Sequence, residues 1–342
     1  MPRMPERPAL DWVAGVVGAG SRILAVTDLH DGLGPWWLRV EHGGTTHEVV
    51  LRVAGWILPR GIVTGAAALR FAEEQGVSAP RLLAADLGGR KAGKPATLET
   101  ALPGSSALPG RVSVAQLRAA GAAIARVHAV PLTPRPGLPL RVRPTSADDR
   151  ALERRWATLY RAVPEDRRPD VVDALSELTG ESQGWALRVV EGAASTPLLQ
   201  LADDLVREHG RPQGPTVFLH GDVWWGNTRW GSDAVPTLID WKDAGAGDPG
   251  VDLGELRLQM VLCYGPDTID HVLEGWREES RLETPDLPYW DAVAALNTPV
   301  RLEGWPAFDA EGNRLDVGSA TARRDAFLRA ALDRLGAGLP QG

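Results

Sequence analysis

Residues 218–241 read FLHGDVWWGNTRWGSDAVPTLIDW, and this stretch decides what kind of fold the chain encodes. Two short apolar runs, which are typical of buried strands, enclose a loop rich in glycine and tryptophan. The first run leads into Asp222, Asn227 follows five residues later, and the second run leads into Asp240. The spacing therefore predicts two strands whose ends and connecting loop bring two carboxylates and one amide together.

These three side chains match the requirements of phosphoryl transfer. Its transition state is loose, so an enzyme mainly positions the reacting groups and balances charge. A carboxylate must lie beside the attacking hydroxyl, and Mg²⁺ on nucleotide phosphates needs oxygen ligands from one or two carboxylates. Either aspartate alone is more simply explained as the cap of a turn. The ordered set of Asp222, Asn227 and Asp240 favours a phosphoryl-transfer site.

The same stretch resembles the catalytic loop and metal-binding strand of the aminoglycoside phosphotransferase family, whose members are relatives of the eukaryotic protein kinases. The family pattern is His-Gly-Asp, four residues, Asn, and later Ile-Asp-Trp or Ile-Asp-Phe. The resemblance implies that Asp222 is the catalytic base and that Asn227 and Asp240 bind Mg²⁺. Downstream, AGAGDPGVDLGEL is also similar, with Asp252 in the position that braces the catalytic loop.

The resemblance extends upstream to residues that would hold the nucleotide, ATP or GTP. Arg52, in HEVVLRV, lies where the family places the basic residue that binds the α- and β-phosphates. Gly32 and Gly34 could lie over the phosphates, because glycine permits close approach. The stretch LETALPG resembles the hinge, so the Glu99 carbonyl and the Ala101 amide would bind adenine. A solvated strand arginine and an ordinary glycine turn are the alternatives.

One position departs from the family pattern. The helix after Arg52 often begins with Arg-Glu in the family, and the glutamate pairs with the basic residue. Here the matching position is Gly65, while Glu73 and Glu74 lie further along the same helix. The clamp on Arg52 is therefore in question, and a pseudokinase that binds nucleotide without transferring phosphate is an alternative to an enzyme.

The organisation of the chain predicts an α+β, two-lobed, protein-kinase-like fold with a small antiparallel sheet and a larger, mostly helical lobe. The first hundred residues favour short strands and one helix, over about 65–75. The proline- and glycine-rich connector LPGSSALPG, residues 102–110, favours a boundary between a nucleotide-binding lobe, 1–101, and a catalytic and substrate-binding lobe, 102–342. Helices are expected over 114–130, 147–162, 170–179 and 195–209, strands over 216–219 and 237–241, and mostly helix over 252–336.

Composition limits the other functions. The formal charge of −7 has the wrong sign for a general nucleic-acid binder. No apolar run is long enough for a membrane span, and the N-terminus lacks the apolar core of a secretory signal. Cys263 is the only cysteine, which excludes an internal disulfide. We therefore expect a cytoplasmic protein with no obligate protein partner.

Two further patterns leave alternatives open. Residues 245–250, GAGDPG, satisfy the G-x-G-x-x-G motif of dinucleotide-binding oxidoreductases, but no βαβ repeat surrounds them. Residues 267–291 carry eight acidic side chains against two arginines, which would attract an amine-bearing acceptor such as an aminoglycoside or would simply form a solvated helix face. The family also contains kinases of macrolides, homoserine, choline-like alcohols and sugars, so a small-molecule hydroxyl is the expected acceptor.

Overall fold

The computed structural model describes residues 4–30, 34–55, 57–143, 150–231 and 235–338. The helices and strands follow in the order α1 (Arg7–Val17), β1 (Arg22–Asp28), β2 (Trp36–His42), β3 (Thr45–Val53), α2 (Pro59–Gln75), β4 (Leu82–Asp86), β5 (Ala96–Thr100), α3 (Val114–His128), β6 (Arg141–Arg143), α4 (Arg150–Ala162), α5 (Arg168–Thr179), α6 (Gln183–Gly192), α7 (Pro197–His209), β7 (Val217–Leu219), β8 (Thr228–Trp230), β9 (Pro236–Leu238), β10 (Gly245–Gly247), α8 (Gly250–Tyr264), α9 (Ile269–Glu279), α10 (Leu287–Leu296) and α11 (Ser319–Gly338). The α+β class that the sequence predicts is confirmed.

The chain divides into two compact units. The first comprises Met1–Ala107, Arg126–Arg141 and Val217–Ala246, and the second comprises Leu108–Ala125, Val142–Thr216 and Gly247–Gly342. The first unit therefore contains the segment of residues 218–241 together with the N-terminal sheet. The lobe boundary at residue 102 stays a prediction.

An antiparallel five-stranded sheet, in the order β1-β2-β3-β5-β4, is the frame of the first unit. Its inner face follows from alternation: in β2 the side chains of Trp36, Leu38 and Val40 are buried at every second position. Register keeps the apolar positions in contact, since Leu38 lies opposite Val49 on β3. Leu98 on β5 belongs to the same core and is fully buried.

A helix that the sequence analysis did not predict covers this core. Helix α1 buries Ala9, Trp12 and Val13, and Trp36 and Leu38 belong to the same cluster. The expectation of one helix in the first hundred residues is therefore wrong. The apolar spacing i, i+3, i+4 was present in the sequence as a signal for α1.

Helix α2 begins at Pro59, six residues before the predicted start at Gly65. It ends as predicted, because Gly76 adopts the left-handed conformation, φ 70°, that closes many helices. Gly65 therefore lies inside the helix, where a Cβ would be 3.7 Å from the Lys242 Cα. A side chain at this position would face the 3₁₀ turn Trp241–Asp243.

The loop segment of the first unit contains a hairpin. Strand β8, which was not predicted, pairs antiparallel with β9, and Thr228 lies opposite Leu238. The predicted strand over 237–241 is shorter than expected, because the chain leaves it at Leu238 and enters the 3₁₀ turn at Trp241. The first predicted strand is confirmed as β7.

The second unit is helical, and its largest core lies among α7, α8, α10 and α11, with Trp290, Leu258 and Leu328 almost fully buried. The helices predicted from residue 252 onward are confirmed as α8 to α11. Helix α6 was not predicted, although its N-cap signal is plain: the Ser182 side chain accepts a hydrogen bond from the Trp185 N–H. In the described part of the chain, no helix combines the length and apolarity that a membrane crossing needs.

Candidate active site

The turn that follows β7 is shaped by a glycine and a buried histidine. Gly221 has φ 80°, and a Cβ there would lie 2.1 Å from the Asp243 carbonyl oxygen, so the approach of these two backbones requires glycine. The Nε2 of His220, which is fully buried, lies 2.8 Å from the Ile239 carbonyl oxygen. The start of the loop is thereby joined to the segment that carries Asp240.

Asn227 joins the loop to the same segment from its other end. The side-chain Nδ2 donates to the Asp222 carbonyl at 2.8 Å, and the Ile239 N–H donates to the Asn227 carbonyl at 2.9 Å. Because the amide nitrogen of this buried side chain is already bonded, the side-chain oxygen is the atom that Asn227 can offer to a ligand.

Asp240 occupies an uncommon backbone conformation. Its φ of 66° and ψ of 59° are left-handed, and no other non-glycine residue among those described has a positive φ. The conformation ends β9 abruptly. The Asp240 carboxylate accepts a hydrogen bond from the Nη1 of Arg52 at 2.9 Å.

Arg52 is buried and bound by two carboxylates. Its Nε donates to Glu99 at 2.8 Å, in addition to the contact of Nη1 with Asp240. Burial disfavours the charged form, but the two carboxylates outweigh it and raise the pKa of Arg52. Burial raises the pKa of Glu99 despite the neighbouring guanidinium. Within the described ranges no hydrogen bond uses the Nη2 of Arg52.

A lysine lies between the two aspartates. The Lys242 ammonium contacts the Asp222 carboxylate, and it lies 3.4 Å from Asp240 and 3.2 Å from Asp243. Burial would lower the pKa of Lys242, but the three carboxylates raise it above its ordinary value. For Asp240, burial opposes ionisation, yet Arg52 and Lys242 hold its pKa below the ordinary range.

These groups line one cavity of about 450 Å³ that lies wholly within the first unit. Six residues that the sequence singled out contribute to its wall: Arg52, Glu99, Ala101, Asp222, Asn227 and Asp240. Gly34 is not part of the wall, although its neighbour Pro35 is. Gly32 lies outside the described residues.

The backbone at the predicted hinge is used by the sheet. The Ala101 N–H donates to the Glu48 carbonyl at 3.1 Å, so the amide that the sequence assigned to adenine is already bonded. Glu99 lies opposite Val50 on β3, and its carbonyl faces the same side as the Ala101 amide because side and backbone orientations alternate along a strand. The Thr100 N–H points the other way, to the Arg81 carbonyl at 2.9 Å.

The missing helix glutamate is replaced from a different element. Glu73 and Glu74 are exposed at the end of α2, and Gly65 has no side chain to offer. The Glu99 side chain, which is 5% exposed, takes this position on Arg52 from strand β5. The clamp that Gly65 called into question therefore exists, built by a residue that the sequence analysis considered only for its carbonyl.

Two cavity residues were missed. Lys242 could have been found, because the chain has only three lysines and this one follows Asp240 by two positions. Trp224 lines the cavity with 39% of its surface exposed. Its ring lies against Gly226, where a Cβ would be 2.2 Å from the ring. A half-exposed tryptophan beside Asp222 gives the cavity an aromatic wall.

The site suits magnesium better than a protein-only metal centre. Within the described ranges, no group of three or more His, Cys, Asp or Glu side chains is arranged to hold a metal ion by itself. Mg²⁺ on a nucleotide takes most of its ligands from phosphates and water and needs few protein oxygens. The Asp240 carboxylate and the Asn227 amide oxygen, both at the cavity wall, fit that smaller requirement.

Several solved structures share this fold. The chain is similar to a macrolide 2'-phosphotransferase from Brachybacterium faecium, with 19% identity, a TM-score of 0.51, and coverage of 97% of this chain and 99% of the other. An aminopropanol kinase associated with a microcompartment gives 13% identity, a TM-score of 0.53 and 96% coverage of both chains. The GDP and kanamycin complex of APH(2")-IIia gives 14% identity, a TM-score of 0.50, and coverage of 92% and 93%. A search among curated proteins found no match.

Fold and site together define a protein-kinase-like phosphotransferase. Residues 18–296 match the phosphotransferase enzyme family, APH, and the chain belongs to this family. The predicted resemblance is thereby confirmed, and so is the prediction of an enzyme of the small-molecule kinase class. The dinucleotide-binding alternative at residues 245–250 is excluded by the family, since this segment forms β10 and the start of α8.

Proposed function

We propose that this protein transfers the terminal phosphoryl group of ATP or GTP, bound with Mg²⁺, to a hydroxyl of a small molecule. The observation that carries the proposal is the convergence of Asp222, Asn227, Asp240 and Arg52 on one cavity. Each of these residue types has a part in phosphoryl transfer, and the three cavity-facing oxygen groups come from one short loop and one strand end.

The chemistry requires a base, a metal ligand set and a cation for the phosphates. Asp222 orients the acceptor hydroxyl and takes its proton as the phosphoryl group moves. Asn227 and Asp240 hold the magnesium ion, which supplies positive charge to the nucleotide phosphates. Arg52, fixed by Glu99 and Asp240, directs its unbonded Nη2 group to the α- and β-phosphates. Transfer is direct and in line, without a phosphoenzyme.

The adenine or guanine contacts are proposed one residue further along the chain than the sequence suggested. The Ala101 amide is bonded within the sheet, and the Arg81 N–H donates to the Thr100 Oγ1 at 2.9 Å. We therefore assign the base to the Thr100 carbonyl and the Leu102 amide, both from residues that line the cavity. The Leu102 carbonyl is held by Arg229 at 3.0 Å, which fixes the orientation of this peptide.

The acceptor is proposed to be a polar alcohol that carries an amine, such as an aminoglycoside-type antibiotic or an amino alcohol. Relatives of the same fold bear the names of kanamycin and aminopropanol. The acidic stretch 267–291 supports this less than its composition suggested. Asp291 is buried against Arg257, the Asp286 side chain caps α10, and Glu274 pairs with Arg118. An ATP-dependent reaction of this kind is proposed to take place in the cytoplasm.

The test is phosphoryl transfer from Mg-ATP and Mg-GTP to a pooled panel of hydroxylated antibiotics, amino alcohols and sugars, read by mass spectrometry. Asp222→Asn is the matched control, because it keeps the size of the side chain and removes the base. We expect a product 80 Da heavier than its acceptor, the mass of a phosphoryl group, with turnover about 10²- to 10⁴-fold lower in the variant. Near-native turnover of Asp222→Asn would show that the base is misassigned.

A nucleotide-binding protein without transfer activity is the second candidate, and the Lys242 contact with Asp222 favours it, because the ammonium occupies the carboxylate of the base. Slow nucleotide hydrolysis that Asp222→Asn abolishes would indicate a working kinase whose acceptor was not in the panel. Nucleotide binding with neither transfer nor hydrolysis would support the binding-only protein.

A further inference from the structure

We infer that Lys242 is a resident counter-ion for the metal-binding and catalytic carboxylates, and that magnesium must displace it to load the site. Lys242 would thus set the magnesium concentration that the protein requires. The inference rests on the proposed function, because it assumes that Asp240 is a ligand of nucleotide-bound magnesium. It concerns a positioning residue, since Lys242 acts through the carboxylates that it contacts.

The geometry places the ammonium where a cation is needed. Its Nζ contacts Asp222 and lies within 3.4 Å of Asp240, so one positive charge bridges the proposed base and the proposed metal ligand. The side chain is 19% exposed and reaches the cavity wall. A divalent ion on Asp240 would lie within a few ångströms of this ammonium, and the two cations would repel each other strongly in a partly buried site.

The backbone of Lys242 has little room to withdraw. Helix α2 lies directly against it: a Cβ on Gly61 would be 3.6 Å from the Lys242 Cβ, and one on Gly65 would be 3.7 Å from its Cα. The carbonyl of the next residue, Asp243, is pressed against Gly221. Release of the carboxylates must therefore come from rotation of the long side chain, while the 3₁₀ turn stays in place.

The charge count points to the same competition. The connected ion pairs contain four carboxylates and three cations, a formal charge of −1 that becomes −2 without Lys242: Glu99, Asp222, Asp240 and Asp243 against Arg52, Arg141 and Lys242. A charge of −2 matches one magnesium ion. With the ammonium in place, the cluster is nearly neutral before any metal arrives.

The test measures metal binding directly. Binding of Mn²⁺, a spectroscopic substitute for Mg²⁺, is followed by electron paramagnetic resonance with a non-hydrolysable ATP analogue present. Lys242→Met keeps the length of the side chain and removes its charge. Lys91→Met is the matched control, because Lys91 is an exposed lysine of the same unit that does not line the cavity.

We expect Lys242→Met to bind Mn²⁺ about tenfold more tightly than the wild type, because a unit charge next to the ion has been removed. Lys91→Met should bind like the wild type. Half-saturation of turnover with Mg²⁺ should fall in parallel. Lys242→Gln, which is neutral and polar, gives the same comparison if Lys242→Met does not fold.

Equal or weaker Mn²⁺ binding in the folded Lys242 variants would overturn the inference alone, provided that the wild type binds the metal–nucleotide complex. Weaker binding of the analogue itself in Lys242→Met would show instead that the ammonium is a phosphate ligand. A wild-type protein that binds neither Mn²⁺ nor the analogue would overturn the proposed function, and this inference with it.

Discussion

Two buried arginines, one in each unit, show how differently this protein uses the same side chain. Arg257 on α8 is 1% exposed and donates from Nε and Nη2 to both oxygens of Asp291, at 2.9 and 2.8 Å. Its Nη1 donates to the Ile269 carbonyl at 3.0 Å. Arg52 is 9% exposed, makes one bond to each of two acids, and leaves Nη2 without a partner in the described part of the chain.

The difference separates a structural ion pair from a binding group. Arg257 and Asp291 neutralise each other in a two-bond geometry that leaves no direction for a third molecule. Arg52 shares its charge with Glu99 and Asp240, and Asp240 is shared in turn with Lys242. Such a cluster lines a cavity because its hydrogen-bonding capacity is incomplete without a ligand. Saturation, rather than burial, distinguishes the two arginines.

The largest expected effect is on stability, at the saturated pair. Asp291→Ala leaves the Arg257 guanidinium buried without its counter-ion, which costs about 3–5 kcal/mol. Urea denaturation should show this loss, while turnover per folded molecule stays near that of the wild type. The double variant Arg257→Met, Asp291→Leu should recover most of the stability. A loss of turnover that exceeds the loss of folded protein would break the comparison.

At the open cluster we expect the opposite pattern. Asp240→Asn removes one charge from the proposed magnesium ligands and should lower turnover about 10²- to 10³-fold, as loss of one electrostatic stabiliser does. The midpoint of thermal unfolding should change little, because Asn tolerates the left-handed backbone and keeps a hydrogen-bond acceptor for Arg52. A variant that unfolds before it loses activity would place Asp240 with the structural carboxylates.

Glu99→Gln should give an intermediate result, since Glu99 orients Arg52 from within the sheet. The uncharged amide still accepts a hydrogen bond, so the fold should persist, but the guanidinium is held less firmly. We expect the nucleotide dissociation constant to rise about tenfold, equivalent to about 1.4 kcal/mol. Isothermal titration with the non-hydrolysable analogue measures it. An unchanged dissociation constant would remove Glu99 from the clamp.

The smallest effect concerns a carboxylate that is saturated at the surface. Asp86 accepts hydrogen bonds from the backbone N–H groups of Arg90, Lys91 and Ala92, and these bonds lower its pKa. A depressed folded pKa stabilises the protein above the unfolded pKa of about 3.9, and the stabilisation is lost as pH falls through the folded value. Asp86→Asn should therefore cost about 1 kcal/mol at pH 7 and less below pH 4. A pH-independent difference in urea denaturation would contradict this.

The sequence predicted what lies close together along the chain. Asp222, Asn227 and Asp240 fall within one segment of nineteen residues, and their spacing alone brings them to one place. The clamp of Arg52 by Glu99 joins positions 47 residues apart, and no local pattern indicates which face of β5 carries that side chain. The bonded state of the Ala101 amide depends on the pairing register of β3 with β5, which a hydrogen-bond ladder fixes and residue types do not reveal. Helix α1 was legible from its apolar spacing and was missed.

The left-handed backbone of Asp240 also constrains how this sequence can diverge. Asparagine, aspartate and glycine adopt that conformation readily, whereas β-branched residues do so at a steric cost. A lineage that abandons phosphoryl transfer but keeps its fold is therefore expected to pass through asparagine or glycine at position 240. The geometry of one peptide unit thus decides which losses of activity can be inherited by a protein that still folds.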